Sequence, residues 1–106
     1  MGEETQKVYR FTVLKSGVAS DWLKALVALA IKETDLVFGG ARRKLETSYR
    51  LSSKKPICHL EAGTECGEHV AKLLSGFLIK QVGEEGFRVD RFTGTSDAMN
   101  GLSASR

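Results

Sequence analysis

The chain has 106 residues, 42% of them hydrophobic and 27% charged, and a formal net charge of +3, which is enough for one domain and too little for two. Its two cysteines, Cys58 and Cys66, are too few for a disulfide framework and point to free thiols in a reducing compartment. The longest apolar run, residues 25–31, falls far short of the roughly 20 residues that cross a bilayer.

The start, Met1-Gly2-Glu3-Glu4, is acidic where a secretory leader is basic, and Gln6 stands where myristoylation needs Ser or Thr. No membrane partner is expected, and a cytoplasmic location follows by elimination. Residues 1–6 are polar and expected to fray. From Lys7 the chain alternates, with Tyr9, Phe11 and Val13 on one side and Arg10 and Thr12 on the other, which predicts a strand. Ser16-Gly17 breaks it. Ser20 reads as a helix N-cap followed by Asp21, and Leu23, Leu26, Val27, Ala30 and Ile31 recur at helical spacing. Trp22, Ala25 and Leu29 widen this apolar arc beyond one stripe, so a neighbouring element or a second subunit is expected to cover it.

Leu36-Val37-Phe38 forms a short apolar run interrupted by Gly39-Gly40, read as a bulge or bend. Beyond it Leu45, Thr47, Tyr49 and Leu51 alternate with Lys44, Glu46, Ser48 and Arg50, predicting the clearest strand of the chain. A polar turn closed by Pro56 leads to a further strand over 57–62. Gly63-Thr64 opens a second helix, with Glu65 and Glu68 at the positive end of its dipole. Val70, Leu73, Leu74, Phe77, Leu78 and Val82 trace its buried stripe, Gly83 and Gly86 end it, and 87–92 is a last strand. Residues 93–106 turn to Gly, Ser, Thr and Ala and read as a disordered tail. One α+β domain over 7–92 in the order β-α-β-β-α-β is expected. Its simplest form is a ferredoxin-like split βαβ, an antiparallel sheet with two helices on one face.

The basic charge is concentrated. Residues 42–55 hold six basic residues and one acidic, a net +5, against 0 for residues 1–41 and −2 for residues 56–106. With Tyr9, Phe11, Leu45, Tyr49, Leu60, Phe87 and Val89 under the helices, the other sheet face carries Arg10, Thr12, Lys44, Glu46, Arg50, His59, Glu61, Arg88 and Asp90. Clustered Arg and Lys neutralise phosphates, and Arg10, Arg42, Lys44 and Arg50 are the candidate anion- or nucleic-acid-binding residues. The bland alternative is a solvated face of cross-strand ion pairs. Because the aromatics fall on the inward face, base stacking is not expected and any nucleic-acid contact is backbone-directed.

Cys58, His59, Cys66 and His69 fall within twelve residues, but the spacing matches no zinc pattern, and adjacent residues of a strand point to opposite faces. No metal or cofactor is expected. Cys66, in the first turn of the second helix with His69 one turn on, is the weak candidate for thiol chemistry. Glu65 and Glu68 beside it oppose a lowered thiol pKa. The sequence therefore favours a non-enzymatic binding or assembly module over an enzyme. It is expected to be a homodimer, with Trp22, Leu29 and a projecting hairpin as contacts, and to meet nucleic acid or another polyanion. A small enzyme or ligand-binding domain using Cys66 and His69, or a purely structural subunit of a larger complex, are the alternatives.

Overall fold

The computed structural model describes residues 6–94. The described residues form an α+β unit with a four-stranded antiparallel sheet and three α-helices. The elements are β1 (Gln6–Val13), α1 (Ser20–Phe38), α2 (Gly40–Glu46), β2 (Tyr49–Leu51), β3 (Ile57–Ala62), α3 (Glu65–Val82) and β4 (Phe87–Gly94), with a 3₁₀ turn over Glu84–Gly86. The strand order is β2-β3-β1-β4, and every neighbouring pair is antiparallel. Strand β4 runs two residues past the expected boundary at Phe92. Gln6, expected to fray with residues 1–6, belongs to β1, and Thr93 and Gly94, expected in the 93–106 tail, belong to β4; the rest of both stretches lies outside the described residues.

The chief correction concerns residues 36–51. The apolar run Leu36-Val37-Phe38 closes α1. Gly39, at φ 91°, turns the chain while its N–H donates to the Asp35 carbonyl (2.8 Å), a backbone shape that favours glycine. Lys44 and Leu45 then lie in α2, with Leu45 88% exposed instead of buried under a helix. Only Tyr49–Leu51 remains as β2, so the long projecting hairpin is absent. The sequence from Ala41 to Glu46 consists of good helix formers, and Arg42 and Glu46 pair at i,i+4 (2.7 Å). Local propensity and pairing outweigh a period-two pattern that is itself only partly apolar. Helix α1 also starts at Ser20 with Ala19 in the cap position and no side-chain cap, where Ser20 was expected to cap.

The remaining elements form for the reasons their sequences suggest. Helix α3 is capped by Thr64, whose hydroxyl accepts from the Gly67 N–H (3.0 Å), and ends at Gly83. Helix α1 buries Leu23, Val27, Ala30, Ile31 and Thr34; the Thr34 hydroxyl donates to the Ala30 carbonyl (2.9 Å), which satisfies it inside the core. Those apolar residues meet Val70, Ala71, Leu74 and Leu78 of α3 and Phe11, Val13, Cys58 and Leu60 of the sheet in one cluster, with Trp22 partly buried against it. The helices thus lie on the sheet face that carries odd-numbered β1 residues.

Candidate functional site

Antiparallel partners share a face, so the register fixes what the opposite face displays. Arg50 of β2 pairs with His59 of β3, His59 with Arg10 of β1, and Arg10 with Asp90 of β4. These four residues form one row across the whole sheet. Rows beside it bring Thr12, Ile57 and Arg88, and Val8, Glu61 and Phe92, to the same face. Three arginines thus stand with two carboxylates on this surface.

Backbone bonding tells how close the members of the row are. Val13 N–H donates to the Pro56 carbonyl (3.0 Å) and Leu14 N–H to the Gly86 carbonyl (2.8 Å). Odd β1 residues therefore bond β3 and even ones bond β4. Arg10 and His59 are consequently a non-hydrogen-bonded pair, the arrangement in which side chains stand closest.

Within the row, Arg10 donates to Asp90 Oδ2 (3.1 Å), and Arg88 donates to the same oxygen (3.2 Å). The hydrogen bond from Arg10, then that from Arg88, holds the Asp90 carboxyl below its ordinary value against the cost of burial. The Arg10 guanidinium also lies 5.0 Å from the Phe92 ring centre, a cation–π distance. Burial, and then the charges of Arg10 and Arg50, lower the His59 pKa. Arg10 Nε and His59 Nε2 are both buried, and neither has a hydrogen-bond partner among the described residues.

Of the predicted anion-binding residues, the fold brings Arg10 and Arg50 together and separates them from Arg42 and Lys44, which belong to α2. Arg42 is committed to two carboxylates, Glu46 (2.7 Å) and Glu65 (2.8 Å), and packs 5.0 Å from the Phe38 ring centre. Lys44 is exposed. The basic stretch 42–55 is therefore divided. Arg42, Arg43 and Lys44 lie on the helix, while Arg50, Lys54 and Lys55 lie in the β2–β3 hairpin, where Ser52 Oγ accepts from both lysine N–H groups (3.3 and 3.1 Å). Phe92 corrects the expectation that all aromatics face inward. Continuing the even-numbered alternation of Arg88 and Asp90 by two residues would have found it.

Cys66 and His69 take different surroundings. Cys66 is fully buried, and its backbone N–H donates to Glu46 Oε1 (3.4 Å). Burial, and then the Glu46 carboxylate, push its thiol pKa up, which favours the poorly nucleophilic protonated form. His69 meets Phe38 edge to face (5.4 Å) and lines an open cavity of about 610 Å³ with Lys7, Thr64, Glu65, Glu68 and Lys72. Cys66 does not line that cavity. Burial works against the Glu68 carboxylate there, but Lys7 (3.3 Å) and the Tyr9 hydroxyl (3.1 Å) outweigh it and lower its pKa. Cys58 is buried on the helix side, and its thiol is pushed up to about 12 by burial. Among the described residues no three His, Cys, Asp or Glu side chains gather to hold a metal ion, and no helix is long and apolar enough to cross a membrane. Comparison with known proteins finds no family model, no curated protein and no solved structure that matches this chain.

Proposed function

We propose that this chain is a non-enzymatic binding module, acting as a homodimer, that holds an anionic partner such as nucleic acid on the open face of its sheet. The observation that carries this reading is the cross-strand row Arg50–His59–Arg10–Asp90, on the face away from the helices. Two buried nitrogens of its central pair, Arg10 Nε and His59 Nε2, make no hydrogen bond within the described protein. Guanidinium groups suit phosphate oxygens geometrically as well as electrostatically. With one half-buried aromatic on the face, the contact is to the phosphate backbone and carries little sequence preference. We also infer a ferredoxin-like split β-α-β topology with α2 as an added helix. The antiparallel order β2-β3-β1-β4 supports it, because β3 lies between the two strands that α1 and α2 connect.

Fluorescence anisotropy with a labelled single-stranded oligonucleotide tests the binding reading. Affinity should fall with added salt, each phosphate contact contributing a slope of about −0.7 on a log–log plot. Replacing both Arg10 and Arg50 by Ala should weaken binding and flatten that slope, whereas Arg42→Ala with Lys44→Ala should change it little. Absence of binding at low salt, or binding indifferent to Arg10 and Arg50, would overturn the proposal.

A further inference from the structure

Strand β4 is an eight-residue edge of the sheet. Because even-numbered β1 residues bond β4, the partners Arg88, Asp90 and Phe92 spend their backbone groups on β1. Phe87, Val89 and Arg91 consequently aim N–H and C=O groups at an edge that no other described strand covers, the kind of ladder that recruits another strand. Beside this edge, on the helix face, Val89 and Ile79 are 39% and 43% exposed. They line an open groove of mixed character, about 560 Å³, with Phe11 and Ala71 and with the charged Glu68, Lys72 and Arg91.

The charges along β4 select how a second copy would fit. In a symmetric antiparallel pairing, both copies keep the same face outward only if one residue sits opposite its own copy across the two-fold axis. Registers centred on Arg88, Asp90 or Arg91 set like charges directly opposite each other, which is destabilising. Centring on Phe92 leaves Val89 outside the pairing. Centring on Val89 sets Arg88 opposite Asp90 of the other copy twice, Arg91 opposite the Phe87 ring twice, and Val89 against Val89. In that register the outward backbone groups of 87, 89 and 91 are the ones that exchange hydrogen bonds.

We propose that two copies of this chain join through antiparallel pairing of their β4 edges, with Val89 opposite its own copy across the two-fold axis, into one eight-stranded sheet. This rests on the homodimer in the function proposed above and is independent of its anionic partner. It sets the two open faces side by side, and it places the exposed Val89 and Ile79 along the seam with Arg91 and Phe87.

Sedimentation equilibrium over a range of protein concentrations tests it, with circular dichroism to verify that each variant is folded. The wild-type chain should be dimeric. Arg88→Asp alone sets acids opposite acids, and Asp90→Arg alone sets cations opposite cations, so each should weaken dimerisation at least about ten-fold. An equimolar mixture of the two variants should restore it, because both seam contacts then join opposite charges. Val89→Lys, at an exposed position, should also give monomers and serves if Asp90→Arg fails to fold. A wild-type monomer would overturn both the seam and the homodimer. A dimer that tolerates Arg88→Asp and Val89→Lys would overturn the seam alone, and a dimer disrupted by each charge variant but not restored by mixing would overturn this register.

Discussion

His59 stands between two guanidinium-bearing neighbours, with Arg50 on one side and Arg10 on the other, and Asp90 completes the row beyond Arg10. Its own burial is the first cause of its lowered pKa, and the two positive charges add to it. The sign of the consequence follows from linkage. A histidine whose folded pKa lies below the ordinary 6.5 binds fewer protons folded than unfolded in the interval between the two values. Its contribution to stability is therefore complete above pH 6.5 and is lost as the pH falls from there through the folded value. Urea melts across that interval should show stability declining with acid, and His59→Gln should flatten the decline. A variant that keeps the wild-type slope would assign the effect elsewhere. The carboxylates with lowered pKa values, Asp90, Glu46 and Glu68, start from 3.8 to 4.5 and act in a more acidic interval. The alternation around His59 was legible in the sequence, since strand parity alone put Arg10, Arg50, His59, Arg88 and Asp90 on one face. The cross-strand row was not, because parity says which side a residue faces and nothing about its neighbour on the next strand.

At the scale of elements, the strands and helices with a single consistent signal could be read directly. Residues 57–62 alternate without contradiction, and α3 has a cap, an apolar stripe and a terminating glycine that agree with one another. Residues 41–46 carried two signals, the start of the clearest alternation in the chain and strong helix propensity. Tertiary ion pairs add to the local preference: Arg42 reaches Glu65 of α3, and Arg43 reaches Asp35 of α1 (2.7 Å). Neither partner could be inferred from spacing across 8 or 23 residues. Thr64 is the joint between α2 and α3. Its hydroxyl accepts from the Gly67 N–H (3.0 Å) and donates to the Glu46 carbonyl (3.0 Å), so it caps one helix and holds the end of the other. Thr64→Ala removes both bonds and should cost about 1–2 kcal/mol in urea denaturation. Thr64→Ser keeps the hydroxyl and should recover most of that loss. Equal losses in the two variants would show that the methyl group, not the hydroxyl, holds the joint.

Over the whole molecule, the sheet separates what keeps the chain folded from what it presents to a partner. On the helix side Phe11, Leu23, Val27, Leu60, Val70, Leu74 and Leu78 are fully buried in one cluster. On the other side Val8 is fully buried as well, but the charged contacts are partly solvated: the Arg10–Asp90 pair has both side chains 31% exposed, and such pairs contribute about 1 kcal/mol or less. Perturbing the two sides should therefore have different consequences. Leu74→Ala removes a fully buried side chain and leaves a cavity, at a cost of about 2–5 kcal/mol. Its oligonucleotide affinity, measured where the variant is still folded, should match that of the wild type. Arg10→Ala should do the reverse, lowering affinity while shifting the urea midpoint only slightly. Combining the two should give additive stability losses, because Leu74 packs in the core cluster while Arg10 bonds Asp90 on the opposite face. A strong departure from additivity would mean that the polar face and the core are mechanically coupled through β1, whose alternate residues belong to each.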